Sequence, residues 1–195
     1  MMGALLGASL WLGCERPSGR PQETSASGRR PGQAAQSIEA KPQWPKNAVR
    51  GDFDGDGVPE YVWLVPPVVV LEEMECKGDC TSNLRFSNAR LPAIPMVNCI
   101  GGKPTNLGDL NGDGADEIGL LPEWFSSCWS SYHVFTYRTA AWTHLVQPFS
   151  THCNQWEAKV KPIEKDPSQP GHVLVHYSES TDKAIVVRTK SIAIK

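Results

Sequence analysis

Gly51-Asp52-Phe53-Asp54-Gly55-Asp56-Gly57-Val58-Pro59-Glu60 returns in pattern as Gly108-Asp109-Leu110-Asn111-Gly112-Asp113-Gly114-Ala115-Asp116-Glu117. Both stretches read D-x-[DN]-x-D-G-x-x-E, with oxygen-bearing side chains at alternate positions and a glycine after the third. That alternation lets three polar side chains converge while the backbone turns, and the glycine takes the positive φ that a sharp bend requires. A loop of this kind wraps its oxygens around one hard cation. Calcium suits it, since that ion accepts roughly six to eight oxygen ligands at flexible angles. The expected ligands of the first loop are Asp52, Asp54, Asp56, the Val58 carbonyl and Glu60. Those of the second are Asp109, Asn111, Asp113, the Ala115 carbonyl and Glu117, with Asp116 at a non-ligand position. Asn111 leaves the second loop one carboxylate short of the first, so the first is expected to bind more tightly.

The helix-flanked loop of an EF-hand starts the same way but needs a bidentate Glu at its twelfth position. Here the twelfth residue is Trp63 in one loop and Leu120 in the other. Dockerin-type loops fail for the same reason. The segments directly after the loops, Tyr61-Val62-Trp63-Leu64-Val65 and Ile118-Gly119-Leu120-Leu121, are apolar and partly β-branched or aromatic, which is strand chemistry.

On these two loops and their flanking strands the chain resembles FG-GAP and VCBS-type repeats, the modules of integrin alpha-chain propellers and many bacterial surface proteins. The resemblance implies that each loop joins the first two strands of a small antiparallel sheet and holds calcium. Neither a Phe-Gly nor a Gly-Ala-Pro signature is present, so the VCBS type is the better fit. Glu60 and Glu117 stand where the family more often has Asp.

Asp52 and Asp109 are 57 residues apart, and a further step of 57 reaches Asp166 in Asp166-Pro167-Ser168-Gln169-Pro170-Gly171. Two readings stay open there: a degenerate third module, or an ordinary Pro/Gly hairpin turn. Neither is expected to bind calcium, because Pro170 replaces the third carboxylate.

Residues 1–13 are apolar and uncharged and end Leu10-Trp11-Leu12-Gly13-Cys14, which resembles a bacterial lipoprotein signal with Cys14 as the lipidated residue. The run is too short to span a bilayer as a helix. Residues 15–45 are rich in Pro, Gly, Ser, Gln and Arg and cannot bury a core, so they read as a disordered tether. Residues 46–195 are the size of one domain. Strand candidates recur over 47–53, 60–70, 105–110, 117–124, 132–138, 142–149, 156–162, 171–178 and 184–194. The expected fold is all-β, with antiparallel, propeller-blade-like sheets. Two clear modules and a degenerate third fall short of a closed propeller, so an open or sandwich-like arrangement is expected. A net charge of −2 without a basic stripe argues against nucleic acid as a partner.

Beyond Cys14 the cysteines are Cys76, Cys80, Cys99, Cys128 and Cys153. In an oxidising compartment they favour disulfides: one bridge within Cys76, Cys80 and Cys99, a second between Cys128 and Cys153, and one thiol left over. Scattered histidines and the lack of a second close Cys pair argue against zinc. Arg50-Gly51-Asp52 spells an integrin-recognition tripeptide, but Asp52 is claimed by the loop. Trp124, Phe125, Trp129 and Tyr132 are read as core rather than as a sugar platform.

These readings converge on an exported, non-enzymatic calcium-binding protein of the bacterial cell envelope. Its partners would be the membrane, through the lipid anchor, and a glycan or protein ligand. The rival is a calcium-dependent hydrolase of a glycan or phosphoester, using Asp116 or Glu123 as its acid.

Overall fold

The computed structural model describes residues 44–194. The signal with Cys14, and the linker up to residue 43, lie outside the described residues. From Trp44 onward the chain is all-β, as expected.

Strand β1 (Val49–Gly51) leads through the first loop into β2 (Glu60–Val65). A small hairpin, β3 (Val69–Val70) and β4 (Glu75–Cys76), precedes β5 (Thr81–Phe86) and β6 (Ile94–Val97). The first sheet runs β1-β2-β5-β6. Next, β7 (Gly101–Asn106) leads through the second loop into β8 (Ile118–Glu123), β9 (Trp129–Arg138) and β10 (Ala141–His144), which form a sheet of order β10-β9-β8-β7. Strand β11 (Phe149–His152) also pairs with β9. After the short helix α1 (Cys153–Glu157), β12 (Ile163–Lys165), β13 (His172–Ser180) and β14 (Ile185–Ala193) make a third sheet in chain order. All pairings are antiparallel, and the described sheets do not close into a barrel.

Both acidic loops thus connect the first and second strands of a four-stranded meander. The turn at residues 166–171 holds the same position, between β12 and β13, in a sheet of three strands. Gly57, Gly114 and Gly171, spaced 57 residues apart, have φ of +82°, +94° and +77°. That left-handed bend would strain any residue with a Cβ.

Two cores separate the sheets. Phe53, Val62, Leu84, Ile118, Leu120 and Phe135 centre one. Tyr132, Val134, Phe149, Ile163, Val173 and Val175 centre the other. Strand β8 contributes to the first and lies beside the second, so Ile118, Gly119 and Leu120 are all buried. A strand covered on both faces loses the in/out alternation and reads as a continuous apolar run. Strand β2, covered less fully, alternates with Glu60 and Val62 inward. Disulfides join Cys76 to Cys80 and Cys128 to Cys153, while Cys99 is buried as a free thiol. The anticipated bridges and the left-over thiol are therefore those observed.

Several strand expectations need correction. Residues 156–162 are not a strand. Their first residues finish α1, where the His152 side chain caps the helix by accepting from the Asn154 N–H, and Lys159 then turns at φ +56°. Strands β5 and β6 were not anticipated, because Arg85, Asn83 and Pro95 interrupt the apolar pattern. Only Ser82, Leu84, Ile94 and Met96 face inward there, and Pro95 is tolerated because β6 is an edge strand. The 105–110 segment shifts back to β7, since Leu107 onward belongs to the second loop.

Candidate metal centre

The first loop folds around its own leading aspartate. The Asp52 carboxylate accepts the Gly55 N–H at 2.9 Å through Oδ1 and the Gly57 N–H at 2.9 Å through Oδ2. The second loop repeats this with Asp109, which accepts from Gly112 at 2.6 Å and from Gly114 at 3.2 Å. Asp56 and Asp113 each accept the N–H two residues on, from Val58 at 2.8 Å and Ala115 at 3.0 Å. These short-range bonds fix the turn of each loop around its leading aspartate.

In the first loop, Asp52, Asp54 and Glu60 each bring one carboxylate oxygen within 4.8 Å of the others. Such a donor set of hard oxygens fits a divalent cation of the calcium type. Asp56 stands outside that cluster and is exposed, as is Val58. In the second loop the Arg138 guanidinium lies 3.0 Å from Asp113 Oδ2. A fixed positive charge there opposes a cation, so the expected order of affinity, first loop above second, gains a second cause.

The closing glutamates do more than the spacing indicates. Glu60 is buried and accepts the Phe53 N–H at 2.9 Å, while Asn88 Nδ2 reaches its other oxygen at 3.3 Å and Asp54 at 3.0 Å. Glu117 has no exposed surface and accepts the Leu110 N–H and Asn111 Nδ2, each at 2.5 Å. Burial pushes the Glu117 carboxyl up to about 7, against the opposing pull of Leu110 and Thr136, and raises Glu60 as well. A buried carboxylate that is reluctant to ionise alone is held charged by a neighbouring cation.

Asp116 ties the loops together. Its Oδ2 accepts the Asp52 N–H at 3.0 Å and Asn106 Nδ2 at 2.8 Å, and its own N–H donates to the Asp52 carbonyl at 2.7 Å. Asn106 Nδ2 also reaches the Arg50 carbonyl at 3.0 Å. Asp116 is therefore a structural bridge between the modules, 64 residues from its partner. Asn88 and Arg138 went unseen in the sequence because only the strand register brings them near the loops, and Asn106, just ahead of the second loop, because its bond to the Arg50 carbonyl depends on how the two modules pack.

In the third turn, Asp166 accepts the Ser168 N–H at 2.8 Å and the Ser168 and Ser191 hydroxyls at 2.6 and 2.5 Å. Those donors, Ser168 foremost, hold its carboxyl at about 2. The Asp166 carboxylate is thus held by hydroxyl and amide donors, among them Ser191 of β14.

Outside the loops, two histidines of β9 and β10 meet. His133 Nδ1 and His144 Nε2 are 3.1 Å apart, and burial, followed by the neighbouring His144, lowers His133 to about 4. Trp124 and Trp129 correct the core reading, being 40% and 38% exposed, whereas Tyr132 is buried. No helix among the described residues is long and apolar enough to cross a membrane. Compared with family models, with curated proteins and with solved structures, the chain matches none.

Proposed function

We propose that this protein is an exported calcium-binding repeat protein of the VCBS type. Its ions rigidify two adjacent strand-connecting loops, and Cys14 anchors it by lipid to the bacterial cell envelope. Its role is structural or binding, toward a glycan or protein ligand, rather than enzymatic. The observation that carries the reading is the convergence of Asp52, Asp54 and Glu60 within 4.8 Å at a strand junction whose sequence pattern recurs 57 residues later. Carboxylates so close repel one another unless a cation offsets their charge. Two disulfides are in keeping with an oxidising compartment.

Thermal unfolding in calcium and in chelator at pH 7.5 tests the role of the ions. At a hundredfold excess over its dissociation constant, each ion adds about 2.7 kcal/mol. A melting temperature at least roughly 5 °C higher in calcium is expected for a domain of this size. Equal melting temperatures would remove the structural role.

A further inference from the structure

Between the second and third sheets lies a cleft of about 690 Å³, lined from β7, β8 and β9 on one side and from α1 and β12 on the other. Sites for small molecules typically enclose roughly 300–1,000 Å³. The lining is mainly apolar: Leu107, Leu121, Tyr132, Trp156 and Ile163. Tyr132 and Trp156 sit together there, their ring centroids 5.6 Å apart.

The polar groups that open onto the cleft are mostly spoken for. Asn106 Nδ2 serves Arg50 and Asp116, the Tyr132 hydroxyl is bonded to Thr105, and the Asp109 carboxylate accepts the Gly112, Asp113 and Gly114 N–H groups. Lys161 is paired with Glu164 at 3.4 Å, and the Glu123 carboxylate packs against Gly101. A sugar, which needs many free hydrogen-bond partners, is poorly matched. Two cations are different. Lys103 on β7 and Lys165 on β12 are exposed and make no ion pair among the described residues.

We infer that this cleft binds a small amphipathic anion. A planar or extended apolar body lies along Leu121, Trp156 and Ile163, and its carboxylate, sulfonate or phosphate is held by the Lys103 and Lys165 ammonium groups. Burial of the apolar body supplies the affinity, and the two ammoniums select the charged end. The inference stands on the cleft and does not require the calcium loops to be occupied.

The test uses two fluorescent probes on the full chain: 8-anilinonaphthalene-1-sulfonate and its uncharged counterpart N-phenyl-1-naphthylamine. The sulfonate is expected to bind saturably at one site, about tenfold more tightly than the neutral probe, a ratio that two partly solvated charges supply. Dodecanoate displaces it, and dodecanol does so less well. Lys103→Gln with Lys165→Gln brings the sulfonate down to the level of the neutral probe and leaves the neutral probe unchanged. Leu121→Trp, which adds a ring inside the cleft, excludes both. Binding persists in chelator, so a failed calcium titration leaves this result intact. Absence of saturable binding, or sulfonate binding that ignores both the lysine pair and Leu121→Trp, would overturn the inference.

Discussion

Phe53→Ala is expected to lower the unfolding free energy by about 3–5 kcal/mol, the range for removing a buried aromatic ring. For a domain of this size that corresponds to a fall in melting temperature of roughly 10 °C. Phe53 is fully buried among Val62, Leu84, Ile118 and Leu120, and its ring meets Phe86 edge-on at a centroid distance of 6.2 Å. It sits between two acidic residues of the first loop, and its N–H donates to Glu60. The ring therefore nails the loop to the core. Gly51 gives way to it, since a Cβ there would lie 2.5 Å from Phe53 Cε1. Phe53→Leu keeps most of the buried area and should cost less than half as much. Urea unfolding of the three proteins in calcium reads the difference, and a loss below about 1 kcal/mol for Phe53→Ala would contradict this packing.

Glu117→Gln is expected to change sign with calcium. Without the ion, burial raises the Glu117 carboxyl from an ordinary 4.5 to about 7. A group whose pKa is raised on folding contributes stability that is complete below pH 4.5 and lost as pH rises through 7. The amide does not titrate, and its carbonyl oxygen still accepts the Leu110 N–H. In chelator, then, the variant gains about 3 kcal/mol relative to wild type between pH 4.5 and pH 8, since a tenfold change in proton affinity is worth about 1.4 kcal/mol. Taking the difference between the two proteins cancels the opposite contribution of His133, whose lowered pKa costs stability as pH falls from 6.5 toward 4. In calcium at pH 8 the wild type regains the lead, because the ion favours the ionised carboxylate that only it has. Parallel stability curves in chelator would mean that the Glu117 carboxyl titrates normally.

Much of the fold and part of the site were legible because they are local. The D-x-[DN]-x-D-G-x-x-E spacing sets the turn through hydrogen bonds that span two to seven residues, so the sequence alone specifies it. The strands after the loops were readable from Val62, Trp63, Ile118 and Leu120, and the Cys128–Cys153 bridge was anticipated from the number and spread of the cysteines in an oxidising compartment. The contacts that escaped depend on register. Arg138 reaches Asp113 across 25 residues, Asn88 reaches Asp54 across 34, and Asp116 reaches Asp52 across 64. Nothing in their own surroundings marks them. Strands β5 and β6 hid because Asn83, Arg85 and Pro95 break their apolar run, and α1 because a five-residue helix fixed by a cap and a disulfide has no period to read. The exposure of Trp124 and Trp129 was illegible for the opposite reason: aromatic residues in a strand-rich chain read as core wherever they stand.

Calcium titration by isothermal calorimetry tests the central claim most directly, with wild type, Asp54→Ala and Asp113→Ala side by side. Two sites are expected in the wild type, the tighter one lost in Asp54→Ala and the weaker one in Asp113→Ala. No heat of binding at millimolar calcium in the wild type would reduce both loops to tight turns and contradict the account.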